Sequence, residues 1–151
     1  MTTVEERELQ EHVSKAVNNT ETAPKQKHVR ACILFTWDNP KYGAQSFWNT
    51  LKLQNPQADE VQAFKSLVTL HKVLRDGHPT MLQQSYREQN YLEVLASYSQ
   101  RVSRGYNPLL RAYVTFLKTK LTFHQARPEF NGSMSYEEYL SLKKSSDPNE
   151  G

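Results

Sequence analysis

Asn107-Pro108-Leu109-Leu110-Arg111-Ala112-Tyr113-Val114-Thr115-Phe116-Leu117-Lys118-Thr119-Lys120-Leu121-Thr122-Phe123-His124 is the stretch that decides the fold class. Leu110, Tyr113, Val114, Leu117, Leu121 and His124 recur at steps that keep them on one face of an α-helix over the whole segment. The proline stands at its start, where a fixed φ is pre-set for helix and the missing N–H costs nothing.

The same pattern extends towards the N-terminus. Tyr91 to Val102 reads as a further helix, and Met81 to Tyr86 as one or two turns. Asn55-Pro56 is another proline start, opening a long helix to about Arg75 with Phe64, Leu67, Val68, His71 and Leu74 on one face; Gly77 and Pro79 end it. Ala44 to Leu53 is a short helix carrying Phe47, Trp48 and Leu51. Pro24 to about Trp37 is another, with Val29, Ile33, Leu34 and Trp37 as its apolar residues and Asp38-Asn39-Pro40 as its end. The first helix runs from Val4 to Val17 on Leu9, Val13, Ala16 and Val17, with Thr3 and Glu6 as a capping box. Nothing alternates with a two-residue period, and the turns carry helix-cap chemistry rather than hairpin chemistry. The expected fold is therefore all-α, with six or seven helices. After Pro128 the pattern fades: Asn131-Gly132-Ser133 is a loop, Tyr136 to Leu142 a short helix, and residues 143–151 a polar tail.

At 151 residues the chain suits one domain, and 37% apolar residues are enough to build a core. No apolar run approaches a membrane span, and the acidic N-terminus lacks the apolar segment of a secretory signal. The single Cys32 rules out an internal disulfide and fits a reducing compartment. The net charge of +3 names no partner, but its distribution is uneven. Residues 1–14 carry Glu5, Glu6, Glu8 and Glu11 against Arg7. Residues 15–30 carry Lys15, Lys25, Lys27 and Arg30 against Glu21. Residues 101–127 carry six bases and no acid.

Enzyme classes find little support. His12, His28, His71, His78 and His124 form no His-Glu-x-x-His motif. His28 and Cys32 share a helix face, but two ligands make a weak metal site. There is no glycine-rich phosphate loop and no Gly-x-Ser-x-Gly elbow. Neither catalytic residues nor a cofactor are expected. The 101–127 block suggests nucleic acid, yet Arg104, Arg111, Lys118 and Lys120 are spread around the helix and no reader motif accompanies them.

The sharper feature is Lys15-Ala16-Val17, six residues, then Pro24-Lys25-Gln26-Lys27-His28. Lys15 falls near the end of one helix and Lys25 to His28 at the start of the next. A helix N-terminus carries unpaired amides and partial positive charge, and acids are usually placed there. Two lysines and a histidine in that position stack like charge, a local conflict that an anionic ligand resolves. On charge alone, a solvated basic turn satisfies the pattern as well as a cradle for a compact polyanion.

The spacing resembles the phosphoinositide-binding signature of the ANTH family of endocytic clathrin adaptors, matched by Lys15, Ala16, Val17, Pro24, Lys25, Lys27 and His28; Val17 stands where the family more often has Thr or Ile. The stretches Lys27 to Ile33, Gly43 to Trp48, His71 to Pro79 and Leu117 to Leu121 look like the huntingtin-interacting-protein-1-related branch and its fungal counterpart, which couple the clathrin coat to actin. The resemblance reaches about Leu142, so residues 1–142 are expected to form the ANTH-like domain. It implies a right-handed α-helical solenoid, shortened on its C-terminal side, that binds phosphatidylinositol 4,5-bisphosphate through Lys15, Lys25, Lys27 and His28. It further implies peripheral attachment to the inner leaflet of the plasma membrane at endocytic sites from the cytoplasm. Co-assembly with the epsin ENTH domain, with Arg30 as the partner or shared-lipid contact, is implied too. Clathrin and actin would be reached only through regions this chain lacks. A helical scaffold for protein partners, with no headgroup preference, is the competing expectation.

Each basic residue near an anionic membrane contributes about 1 kcal/mol, so Lys15, Lys25, Lys27 and Arg30 together give roughly millimolar affinity. Stable recruitment would need avidity. The glutamates of the first helix oppose insertion into an anionic surface, which favours packing of that helix on its neighbour.

Overall fold

A computed structural model describes residues 3–97 and 105–132. Seven α-helices and one 3-10 turn occur among them, and no strand: α1 (Val4–Ala16), α2 (Gln26–Asp38), α3 (Gly43–Leu53), the 3-10 turn Pro56–Ala58, α4 (Glu60–Asp76), α5 (Thr80–Arg87), α6 (Gln89–Ser97) and α7 (Asn107–Ala126). The helix expected over Tyr136 to Leu142, residues 98–102 of the helix expected over Tyr91 to Val102, and the tail lie outside the described residues.

Local chemistry accounts for most helix ends. Thr3 accepts a hydrogen bond from the Glu6 amide at 3.0 Å and caps α1. Val17 is the C-cap rather than the last helical residue. Two starts differ from expectation. Pro24 precedes α2 instead of opening it: Lys25 takes the N-cap position in extended backbone and the helix begins at Gln26. Pro56 opens only a single 3-10 turn, entered through Asn55 in the left-handed region at φ 53°. The long helix restarts at Glu60 because Asp59 accepts from the Val61 and Gln62 amides at 2.9 and 3.0 Å, a stronger N-terminal signal than the proline upstream.

α4 is the central element. It packs against α1, α2, α5 and α7, and its buried residues lie all round it, from Val61 and Ala63 to Leu67, Leu70, Val73 and Leu74. That surrounds a helix expected to bury one face only. α1, α2 and α3 pack on one another on one side of it, and α5, α6 and α7 on the other. The fully buried Trp48 of α3 ties the two groups, its indole N–H donating to Ser85 Oγ of α5 at 2.8 Å.

α2 buries a different stripe from the one expected. His28, Val29, Cys32, Phe35 and Thr36 face inward, whereas Leu34 and Trp37 are about half exposed, at 52% and 49%. Small and polar residues win the interior because neighbouring backbone comes close there. Thr36 Oγ1 donates to the Ile33 carbonyl at 2.7 Å and accepts from the His78 amide at 3.0 Å. Gly77 ends α4 in extended backbone, so its glycine serves close approach and not a left-handed turn; a Cβ there would meet the Val73 carbonyl oxygen at 2.4 Å and Thr36 Oγ1 at 2.9 Å.

Candidate functional site

The site forms where α1 ends and α2 begins. Lys15 projects from the last turn of α1, Lys25 from the N-cap of α2 and Lys27 from its first turn; all three are exposed. The first turn of α2 contains no acid and the N-cap side chain makes no capping bond. This helix end therefore keeps its partial positive charge and adds two ammonium groups to it.

His28 joins the two helices. It is 5% exposed, and its Nδ1 lies 2.9 Å from Nδ1 of His12 on α1, with the two rings tilted and 5.2 Å apart. Its pKa is lowered below the ordinary histidine value, first by burial, then by His12, Lys27, Lys15 and Lys25 in that order. Three cations from two helices thus act on one imidazole. The structure brings Lys15, Lys25, Lys27 and His28 together, with the histidine beneath the lysines rather than beside them at the surface.

The lysines differ in what else they touch. Lys15 is paired with Glu11 one turn back, at 2.8 Å, and that ammonium is the main cause holding the Glu11 carboxyl below its usual range. No ion pair engages Lys25 or Lys27 among the described residues. Arg30 does not join this cluster. One helical turn further along α2, it faces a separate groove with Lys72 and Arg75 of α4.

Two residues that position the site went unnoticed in the sequence. His12 follows Leu9 by three residues on the inward side of α1, a periodicity that marks its face but not its histidine partner. Lys65 is buried in α4, and its ammonium donates to Asn18 Oδ1 at 2.7 Å and to the Thr20 carbonyl at 3.1 Å. Asn18 in turn caps the Lys15 carbonyl at 3.1 Å and accepts from the Thr20 amide at 3.1 Å. The loop between α1 and α2 is thereby pinned to the central helix, which fixes Lys15 relative to Lys25 and Lys27. Burial lowers the Lys65 pKa. The contact spans 45 and 47 residues of sequence, so no local signal reveals it.

Cys32, one turn below His28, is fully buried and its thiol is pushed up to about 12 by burial, which makes it an inert core residue. Among the described residues no group of three or more His, Cys, Asp or Glu side chains forms a metal-sized cluster, and no helix is long and apolar enough to cross a membrane.

The ANTH domain family model matches residues 8–151. The chain is 48% identical over 145 residues to endocytosis protein end4 of Schizosaccharomyces pombe, covering 95% of this chain and 13% of that protein. It is 44% identical over 148 residues to protein SLA2 of Saccharomyces cerevisiae, covering 95% and 15%. The chain thus spans only about a seventh of these relatives. Among solved structures, one described as the ENTH domain from epsin-2 in complex with phosphatidylinositol 4,5-bisphosphate superposes with a TM-score of 0.83 at 50% identity, covering 97% of this chain and 56% of that one. Another, described as the endocytic adaptor complex AENTH, gives 0.80 at 42% identity, covering all of this chain and 60% of that one. The fold is accordingly an all-α solenoid.

Proposed function

The chain belongs to the ANTH domain family, and from that premise we propose that it is the membrane-recruiting domain of an endocytic clathrin-coat adaptor, with phosphatidylinositol 4,5-bisphosphate as its ligand. The observation that carries this reading is the pair of exposed lysines, Lys25 and Lys27, at an acid-free and uncapped helix start, with Lys15 on the adjoining end of α1. A structural relative described as bound to the same lipid supports the choice of headgroup.

In this mechanism Lys25 and Lys27 meet the headgroup phosphates directly, together with the free amides of the first turn of α2. Lys15 joins them by exchanging its Glu11 partner for phosphate. His28 acts from beneath: burial first, then His12 and the three lysines, lower its pKa, and phosphate above it offsets the ammonium charges, so it takes up a proton on binding and affinity rises as the pH falls. The Lys65 tether keeps the two helix ends in register for a compact ligand. The domain binds and does not catalyse.

A patch of three lysines is a weak anchor, worth about 3 kcal/mol from charge alone. Recruitment to the cytoplasmic face of the plasma membrane therefore depends on many adaptors in one coat and on co-assembly with an epsin ENTH domain, an arrangement to which the relative described as the AENTH complex lends support. A helical scaffold without headgroup preference is the second reading, favoured by the half-exposed Leu34 and Trp37 on α2.

Co-sedimentation with vesicles at near-physiological salt tests the proposal. Vesicles carrying phosphatidylinositol 4,5-bisphosphate should bind the chain more strongly than vesicles carrying phosphatidylserine at equal total charge, and Lys25→Glu/Lys27→Glu should remove the difference. Equal binding to both lipids by the wild type overturns headgroup recognition. Absence of binding by the folded wild type favours the scaffold.

A further inference from the structure

A groove between α1 and α2, ≈ 360 Å³ in volume, has no part in the mechanism above. Its floor is apolar, made by Leu9, Ala31, Leu34 and Phe35. Leu34 is half exposed there, a large apolar side chain that the fold leaves in water. Three carboxylates, Glu5, Glu8 and Asp38, stand on the rim, all exposed. None of them has an ion pair among the described residues, and neither lysine nor arginine lines the groove. Glu5 lies ten residues before Lys15 in the chain, about 15 Å along α1. The hairpin of α1 and α2 is thus acidic at one end and basic at the other.

Charge and shape select the occupant. Unmatched carboxylates turn away an anionic membrane, a nucleic acid and a phosphate ligand alike. Among the described residues no group of three or more His, Cys, Asp or Glu side chains is compact enough for one metal ion, so the positive charge that fits must be spread over a larger molecule. The apolar floor requires a hydrocarbon face on that same molecule. From Glu5 to His12 the groove follows α1 for about 10 Å, or about two helical turns. A helix with apolar residues at i, i+3 and i+4, flanked by lysines or arginines, meets all of these conditions.

We propose that this groove docks a basic amphipathic helix of a protein partner, its apolar side on Ala31 and Leu34 and its cations on Glu5, Glu8 and Asp38. Lys15, Lys25 and Lys27 stay clear at the other end of the hairpin, so the partner and an anion bind together rather than in competition. One residue belongs to both neighbourhoods: His12 lines the groove, and its Nδ1 lies 2.9 Å from Nδ1 of His28. The glutamates that oppose insertion of α1 into an anionic surface serve the partner instead.

Fluorescence anisotropy of a labelled leucine–lysine peptide of about five turns, amphipathic when helical, tests it with the whole chain at near-physiological salt. The chain carries a net charge of +3, so the peptide meets overall repulsion and binds only at a local acidic surface. Glu5→Gln/Glu8→Gln is expected to weaken binding about fivefold, and Leu34→Gln about tenfold. All three side chains are exposed, and circular dichroism confirms the fold of each variant. Lys25→Glu/Lys27→Glu should leave peptide binding within about twofold of the wild type, so this proposal and the phosphoinositide reading fail separately. Equal binding of a scrambled peptide of the same composition overturns the proposal. So does displacement of the peptide by an equal concentration of spermine, absence of binding by the wild type, or an affinity that either groove variant leaves unchanged.

Discussion

The two most basic regions of the chain use the same residue types to opposite ends. On α7, Arg111 and Lys118 both reach Glu93 of α6, Nη1 to Oε2 at 2.8 Å and Nζ to Oε1 at 2.9 Å, and Arg127 is paired with Glu129. At the start of α2, Lys25 and Lys27 have no such acid among the described residues. In the linear sequence the α7 block looks the stronger, with six bases and no acid. Folding reverses the order, because Glu93, eighteen residues before Arg111, comes back to neutralise it. A run of charge in sequence is a site only if the fold withholds its partners.

The largest effect that bears on this contrast is on the lipid. Lys25→Glu/Lys27→Glu should weaken binding to phosphatidylinositol 4,5-bisphosphate vesicles by about thirtyfold or more, given about 1 kcal/mol per basic residue removed and further repulsion from each acid. Arg111→Gln/Lys118→Gln should change it by less than about twofold, since both cations are already engaged by the Glu93 carboxylate. Comparable losses in the two variants would erase the distinction between the regions.

Acid should separate binding from stability. His28, His71 and His124 all have lowered pKa values, each with burial as the first cause. Their neutral forms stabilise the fold, so that contribution is complete above the ordinary value of 6.5 and declines as the pH falls below it. Urea midpoints measured from about pH 7.5 to about pH 5.5 should fall. Over the same range the affinity for phosphatidylinositol 4,5-bisphosphate should rise, because bound phosphate favours the protonated His28. A His28→Asn variant should lose the rise in affinity while keeping most of the decline in stability.

Smaller effects sharpen the comparison by moving one acid at a time. Glu93→Gln should release Arg111 and Lys118 and raise binding to phosphatidylserine vesicles about threefold, without headgroup selectivity. Glu11→Gln should free Lys15 and raise affinity for the phosphoinositide about twofold. Flotation of both variants on the two vesicle types would show whether released charge on α7 stays nonselective, as the account requires.

The all-α class was legible because six core positions of α7 repeat with helical period, five of them buried and the sixth, Tyr113, partly buried against the core. The spacing of the motif residues carries a resemblance that charge alone does not, and their headgroup role is the proposal that this resemblance motivates. What escaped was set by contacts between distant segments. The inward face of α2 depends on Thr36 meeting His78, 42 residues away, so the expected stripe through Leu34 and Trp37 came out at the surface. The start of α4 turned on a choice between Pro56 and Asp59, two competing local signals. Lys65 gave no sign of its role, since a lysine in a helix is ordinarily solvated and its acceptors lie on the far side of α3 in sequence.

The central claim is that unmatched cations at the start of α2, and not the longer basic block of α7, meet the headgroup. Amide chemical-shift titration with inositol 1,4,5-trisphosphate tests it directly, because every helix reports separately. The account predicts the largest shifts at Lys15 and over residues 25–28, with Arg111 and Lys118 unmoved. Shifts centred on Arg111 and Lys118, with residues 25–28 silent, would contradict it.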